Sequence, residues 1–328
     1  MASLAPGVVL PGKRWNYRIL DPIKGDTTHI SNAFKAEVVP RENTRHVPKA
    51  PQWAFVKEAL ASDAAATEDM EREFQAYRLP GVASAECFRK LYDMINHNTI
   101  ALEWLDKTLA DLRYQPNMFT YSLILSVLKA ALNSCLILEG NKYVNTDYKP
   151  ANILLSGIRS GRVTAKVGDL GLVVPVGTLY NAQPHAMRAP EVLLGKACRE
   201  PSQVWATAAT LLFWIMPGIV GVWDSPHVSV NEAWALAKIK RLFPEWNIPS
   251  PTEVDDNFVK ATVKHARSFT ENAPELQAIL PFNELAVEVP HQLKDLLHFM
   301  LIPNPAERPS ASSVLASREF RVFEKFVE

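Results

Sequence analysis

The residues best equipped for chemistry lie in one short stretch, Val144-Asn145-Thr146-Asp147-Tyr148-Lys149-Pro150-Ala151-Asn152-Ile153-Leu154-Leu155. Asp147 and Asn152 bring oxygen atoms, and Lys149 brings a cation, within six positions. A further carboxylate follows in Gly168-Asp169-Leu170-Gly171, seventeen residues after Asn152. Carboxylate and amide oxygens are hard donors that suit magnesium, which keeps most of its waters and seldom has a full protein cage. A carboxylate on a loop can also take a proton from a hydroxyl. Each residue taken alone is equally explained as a loop Asp or Asn satisfying turn backbone.

Two later motifs change that balance. Arg188-Ala189-Pro190-Glu191 follows the second carboxylate, and Asn304-Pro305-Ala306-Glu307-Arg308-Pro309-Ser310 lies near the C-terminus. In order and spacing the four segments resemble the protein-kinase set of catalytic loop, metal loop, Ala-Pro-Glu motif and distant arginine. The resemblance runs from about residue 15 to the end of the chain and is most specific in its second half. It implies an α+β, two-lobed fold with a small β-rich lobe and a larger helical lobe. It also implies transfer of the ATP γ-phosphate to a protein Ser or Thr, with Mg2+ as the metal.

The resemblance also assigns roles. Asp147 would orient or accept the proton of the substrate hydroxyl, and Lys149 would contact the transferred phosphate. Asn152 and Asp169 would ligate magnesium. Lys57, in Phe55-Val56-Lys57, would hold the α- and β-phosphates, with Glu73 as its helix partner and Glu71 and Glu68 as rivals. In Ile100-Ala101-Leu102-Glu103-Trp104-Leu105-Asp106, Leu102 would be the gatekeeper beside the adenine. The Glu103 carbonyl and the Leu105 backbone would bond the adenine edge, and Asp106 would reach the ribose. Gly25 would open the loop over the phosphates. Glu191 and Arg308 would form a buried structural ion pair.

Thr146-Asp147, Asp169-Leu170-Gly171 and Glu191-Val192-Leu193-Leu194-Gly195 resemble the SR-protein kinase branch, related to the CMGC group. That branch prefers Ser near Arg, so an Arg/Ser-rich protein substrate is implied. Without an Arg before Asp147, no cation is evident for an activation-loop phosphate. Activity is therefore expected to survive phosphatase treatment, and its abolition would refute this.

Four positions depart from the family pattern. Asn145 replaces a His, and Gln203 replaces an Asp that braces the catalytic loop. Gln183-Pro184 stands where a Thr meets the catalytic Lys. The phosphate loop Gly25-Asp26-Thr27-Thr28-His29-Ile30-Ser31 has a single glycine, and Asp26 repels phosphate. These departures open an alternative, a pseudokinase scaffold or regulator. A small-molecule phosphotransferase is disfavoured by Lys149, Ala189-Pro190-Glu191 and Arg308.

The elements that must position these groups show in the periodicity. WNYRIL (15–20), NAFKAEVV (32–39) and WAFVKEAL (53–60) alternate as strands do. Residues 61–79 read as a helix, rich in Ala, Glu and Arg. TIALEWL (99–105) reads as a buried strand ending in a connector. A short helix follows, with Asp106 as a candidate N-cap. Residues 119–140 form a long apolar helix stopping at Gly140, and 152–155 and 165–173 are short apolar runs. Domain boundaries follow: a tail over 1–14, a small lobe over 15–105 and a large lobe over 106–328.

Composition bounds the rest. The chain has 328 residues, with 35 Lys plus Arg against 35 Asp plus Glu. Zero formal charge argues against direct nucleic-acid binding and against a polybasic membrane surface. Hydrophobic residues at 48% exclude wholesale disorder. Three scattered cysteines, Cys87, Cys135 and Cys198, give neither zinc spacing nor a disulfide framework. A cytoplasmic or nuclear location is the expectation. Val204–Trp223 lacks charge, but Pro217-Gly218 breaks it, and it reads as a buried core helix.

Overall fold

The computed structural model describes residues 4–23, 31–41, 50–60, 62–179 and 183–328. The chain divides into two compact units. The first holds Met1–Asp106 with Gly168–Val173, and the second holds Lys107–Val167 with Val174–Glu328.

The first unit is built on an antiparallel sheet. Its strands are β1 (Val9–Pro11), β2 (Asn16–Pro22), β3 (Ser31–Val39), β4 (Trp53–Ala59), β5 (Leu91–Asn96) and β6 (Thr99–Glu103). They run in the order β1-β2-β3-β4-β6-β5. The segment expected to be a tail thus carries a strand, because Val9, Leu10 and Pro11 pair with Arg18, Tyr17 and Asn16. Sequence reading also missed β5, whose Leu91-Tyr92-Asp93 buries a carboxylate. Asp93 is spared an unpaired charge because Tyr17 Oη and the Arg14 amide both donate to it.

Period-two alternation decides which side chains leave the core. Tyr17, Ile19, Phe34, Ala36, Val38, Ala54, Val56 and Ala101 form one apolar cluster. Ala54 and Val56 therefore take one face of β4, and Phe55 and Lys57 share the other. Helix α1 (Ala64–Arg78) starts at Asp63, whose carboxylate accepts from the Ala65 and Ala66 amides. The expected start near residue 61 thus gives way to a carboxylate cap that satisfies orphan amides.

The second unit opens with β7 (Lys107–Thr108) and a single 3-10 turn over Leu109–Asp111. The cap there is Thr108, in a reciprocal capping box with Asp111, and not Asp106. Helix α2 (Met118–Gly140) is capped by the Asn117 side chain on the Thr120 amide. It is long and apolar enough to cross a membrane by length and composition, yet 67% of its most apolar window is buried inside the structure. That burial is what a core helix shows.

Strands β8 (Tyr143–Asn145), β9 (Ile153–Ser156), β10 (Thr164–Val167) and β11 (Val173–Pro175) follow. The apolar run expected over 165–173 is strand only to Val167, and residues 168–172 lie in a loop and turn before β11. Strands β10, β9 and β7 make a three-stranded antiparallel sheet. The remaining helices are α3 (Pro190–Leu193), α4 (Glu200–Ile215), α5 (Asn231–Leu242), α6 (Asn257–Asn272), α7 (Pro274–Gln277), α8 (His291–Met300), α9 (Ala311–Ala316) and α10 (Arg318–Val327). Helix α2 packs against α4, α9, β8 and β10. Helix α4 is buried on nearly all sides, which explains its uncharged sequence.

Candidate active site

The candidate residues fall into two sets, one in each unit. In the first unit, β4 presents Lys57 away from the core. Its Nζ donates to Glu73 Oε2 at 2.7 Å and to Asp169 Oδ1 at 3.0 Å. Helix α1 supplies Glu73, which is fully buried. The rivals are engaged elsewhere: Glu68 pairs with Arg72, and Glu71 accepts from Gln75. Heptad-like spacing on α1 explains the selection, since Ala66, Met70, Glu73 and Tyr77 all face inward.

Burial lowers the Lys57 pKa, but the Asp169 and Glu73 carboxylates outweigh it and hold the pKa above the usual lysine value. Lys57 is a permanent cation. Burial pushes the Glu73 carboxyl upward, against the pull of Lys57. Asp169 stands at φ 51°, a left-handed conformation rare for a residue with a side chain. Such strain costs about 1–3 kcal/mol and persists only where surroundings enforce it. Here Arg72 Nε donates to the Gly171 carbonyl at 3.0 Å, and the Leu170 amide reaches Glu73 Oε1 at 3.4 Å. Arg72 also contacts Asp69. The sequence offered no signal for Arg72, which looks like one more charge on a solvated helix face.

Further along the first unit, Leu102 is buried on β6, opposite Phe55 on β4 and Leu91 on β5. Leu105 is buried, and Asp106 is exposed at the end of the unit. The Glu103 carbonyl has a partner within the chain, since Arg89 Nε donates to it at 2.7 Å. The Arg89 guanidinium also lies 3.9 Å from the centre of the Phe55 ring. Gly25 lies outside the described residues.

In the second unit, residues 145–152 form a tightly bonded loop after β8. Asn152 Nδ2 donates to Asp147 Oδ2 at 2.7 Å and to the Asp147 carbonyl at 3.0 Å. Both amide hydrogens are spent inward, so the Asn152 side-chain oxygen is the atom left for a cation. Lys149 Nζ lies 3.2 Å from Asp147 Oδ2. The Tyr148 hydroxyl is buried against Ser134 Oγ at 2.7 Å, anchoring the loop to α2.

The departures from the family pattern find local compensation. Asn145 Oδ1 accepts from the Asp147 amide at 2.9 Å, and Gln203 Oε1 accepts from the Asn145 amide at 2.8 Å. Gln183 turns away from Lys149. Its amide group bonds the Ser202 carbonyl and the Ala189 amide, its backbone N–H bonds the Thr146 carbonyl, and its carbonyl takes two donors of Arg188. Its φ of 67° is a second strained position. Glu191 and Arg308 form a bidentate pair at 2.8 and 3.0 Å. Ser202 Oγ adds a bond to Glu191, and three carbonyls add bonds to Arg308.

Each set by itself has chemistry that fits: in the first unit Asp169 offers a hard oxygen for magnesium and Lys57 a cation for phosphate, and in the second Asn152 offers a hard oxygen.

A model of the protein kinase domain matches residues 54–320. Cyclin-dependent kinase 20 of Rattus norvegicus is 28% identical over 230 residues, which is 67% of this chain and 61% of that protein. Stress-activated protein kinase JNK of Drosophila melanogaster is 23% identical over 196 residues, 55% of this chain and 48% of that protein. Dual specificity tyrosine-phosphorylation-regulated kinase 3 of Homo sapiens is 32% identical over 120 residues, 35% of this chain and 20% of that protein. The chain spans less than two thirds of the length of these curated relatives. They fit a divergent kinase domain related to the CMGC group.

Proposed function

Because the chain belongs to the protein kinase domain family, we propose that it transfers the γ-phosphate of ATP to a Ser or Thr of a protein substrate. The observation that carries this reading is the Lys57–Glu73–Asp169 cluster, with bonds of 2.7 and 3.0 Å on the lysine. A charged lysine held by two carboxylates from α1 and the metal loop is the arrangement phosphoryl transfer calls for.

Magnesium, when bound, would neutralise phosphate charge. Asp169 in the first unit and Asn152 in the second would each offer it an oxygen. Lys57 orients the α- and β-phosphates, and Glu73 orients Lys57. Asp147 orients the substrate hydroxyl and takes its proton, and Lys149 screens the charge growing on the transferred phosphate. The branch resemblance, through Thr146, Leu170 and Glu191-Val192-Leu193-Leu194-Gly195, favours an Arg/Ser-rich substrate, and the scattered cysteines favour a cytoplasmic or nuclear setting. Thr146 is buried, and Arg188 is already spent on Gln183 and Glu232, so the reading needs no activation-loop phosphate.

A second reading, a pseudokinase that binds partners without catalysing, is favoured by one observation: Arg89 already bonds the Glu103 carbonyl. Thermal stability with millimolar Mg-ATP separates the two. A ligand at about 100 times its Kd stabilises by about 2.7 kcal/mol. The kinase reading expects a magnesium-dependent shift that Asp169→Ala abolishes. A chain unmoved by Mg-ATP supports the scaffold.

A further inference from the structure

The face of β4 that carries Lys57 also carries Phe55, two residues nearer the β6 terminus at Glu103. Side chains two apart on a strand share a face and lie about 6.6 Å apart. Phe55 pairs in register with Leu102, the residue before Glu103. The ground beside Lys57 on the Glu103 side is therefore the Phe55 ring. That ring is covered by the Arg89 guanidinium at 3.9 Å, and the same guanidinium bonds the Glu103 carbonyl at 2.7 Å.

Arg89 is buried, at 7% exposure. A buried guanidinium needs its five N–H donors satisfied and charge compensation. The carbonyl and the ring face supply part of this. Burial holds the Arg89 pKa below the usual arginine value, and the Glu73, Asp169 and Glu103 carboxylates only oppose it. The Tyr77 hydroxyl is itself buried without a hydrogen-bond partner among the described residues. The Glu103 carbonyl and the Phe55 ring hold the guanidinium in place.

We propose that Arg89 sets nucleotide selectivity by excluding the base: its guanidinium, stacked on Phe55, takes the Glu103 carbonyl that an adenine amino group would need. Binding then comes from the triphosphate and magnesium alone, through Lys57 and Asp169. This rests on the nucleotide-site reading above and adds to it what the site reads. The exocyclic amine of adenine is a donor, and so is Arg89; two donors facing one carbonyl compete. Displacing the guanidinium to admit a flat base over Phe55 would break both its carbonyl bond and its ring contact, which adds a further penalty.

The test is calorimetric titration of the full chain with Mg-ATP, Mg-GTP and Mg-tripolyphosphate, on wild type and on Arg89→Val. The expected result is that wild type binds ATP and tripolyphosphate within about 3-fold. Arg89→Val should tighten ATP by about 10-fold or more, the equivalent of about 1.4 kcal/mol, and leave tripolyphosphate unchanged. Unchanged tripolyphosphate affinity also certifies that the variant is folded. Should Arg89→Val not fold, Phe55→Ala, which removes the ring under the guanidinium, should give a smaller tightening of ATP in the same direction. The inference is overturned if wild type already prefers ATP over tripolyphosphate by about 10-fold. It is overturned equally if Arg89→Val weakens ATP, or if wild type prefers GTP, which would make Arg89 a reader of a base. Tripolyphosphate bound by both proteins with no gain for ATP refutes the role of Arg89 and spares the phosphate site. No tripolyphosphate binding to either protein refutes the phosphate site, and the inference with it.

Discussion

The backbone N–H of Asn145 donates to Gln203 Oε1 at 2.8 Å, and this bond joins the candidate catalytic loop to α4. Both residues are fully buried. Asn145 in turn accepts the Asp147 amide, so a chain of two neutral bonds fixes the backbone that aims Asp147. The Nδ2 of Asn145 and the Nε2 of Gln203 have no hydrogen-bond partner among the described residues. The brace therefore works through oxygens on one side only.

Gln203→Leu removes the acceptor and leaves the Asn145 amide buried and unpaired. Such a loss costs about 1–3 kcal/mol. We expect a lower thermal midpoint and a fall in kcat with KM for ATP unchanged, because the variant displaces Asp147 and leaves the Lys57 cluster alone. Steady-state kinetics beside a melting curve checks this. A fall in ATP affinity with kcat intact would count against the brace.

Lys57→Met removes the cation that two carboxylates surround. Loss of one preorganised electrostatic partner of a transferring group lowers kcat by about 10²–10³. Glu73, fully buried, loses its strongest counter-charge and is expected to protonate. Transfer rates within a few-fold of wild type would show that Lys57 has no part in phosphate binding.

Arg308→Met leaves Glu191 as a buried carboxylate held only by Ser202 Oγ among its described partners. Breaking one side of a buried pair costs about 3–5 kcal/mol. Chemical denaturation should show that loss, and the double variant Arg308→Met with Glu191→Leu should recover part of it. Single and double variants equal in stability would mean the pair is not coupled.

His185 bears on pH. Burial, then the neighbouring Arg188, holds its pKa below the ordinary histidine value despite Glu232 Oε1 at 3.3 Å. The folded chain therefore binds this proton less readily than the unfolded chain. The contribution is present above the unfolded value of about 6.5 and is lost as pH falls from there through the folded value. His185→Gln should flatten the fall in melting temperature between about pH 7 and pH 5. Superposable pH profiles for the two proteins would refute it.

Strands β2, β3, β4 and β6, helix α1 and the long helix α2 were legible because alternation and helical spacing report burial directly, whereas β1 and β5 were not. Asp147, Asn152 and Asp169 were legible because a motif keeps their order. Arg89 was not, since nothing in Cys87-Phe88-Arg89-Lys90 marks a partner for its side chain, and only the fold turns that guanidinium onto Glu103. Arg72 and Gln183 escaped for a similar reason. Arg72 donates to the Gly171 carbonyl and the Gln183 side chain to the Ser202 carbonyl, and backbone partners leave no trace in side-chain identity. Glu73 was separable from Glu71 and Glu68 only by face, which helical phase suggests and burial decides.

The most direct test is transfer of labelled γ-phosphate from Mg-ATP to a Ser/Thr peptide library that includes Arg/Ser-rich members. Wild type, Arg89→Val and Asp147→Asn are compared at millimolar ATP. The account predicts label on Ser or Thr with wild type, at least as much with Arg89→Val, and a loss of about 10²-fold or more with Asp147→Asn. Transfer by neither wild type nor Arg89→Val above the Asp147→Asn level would contradict it.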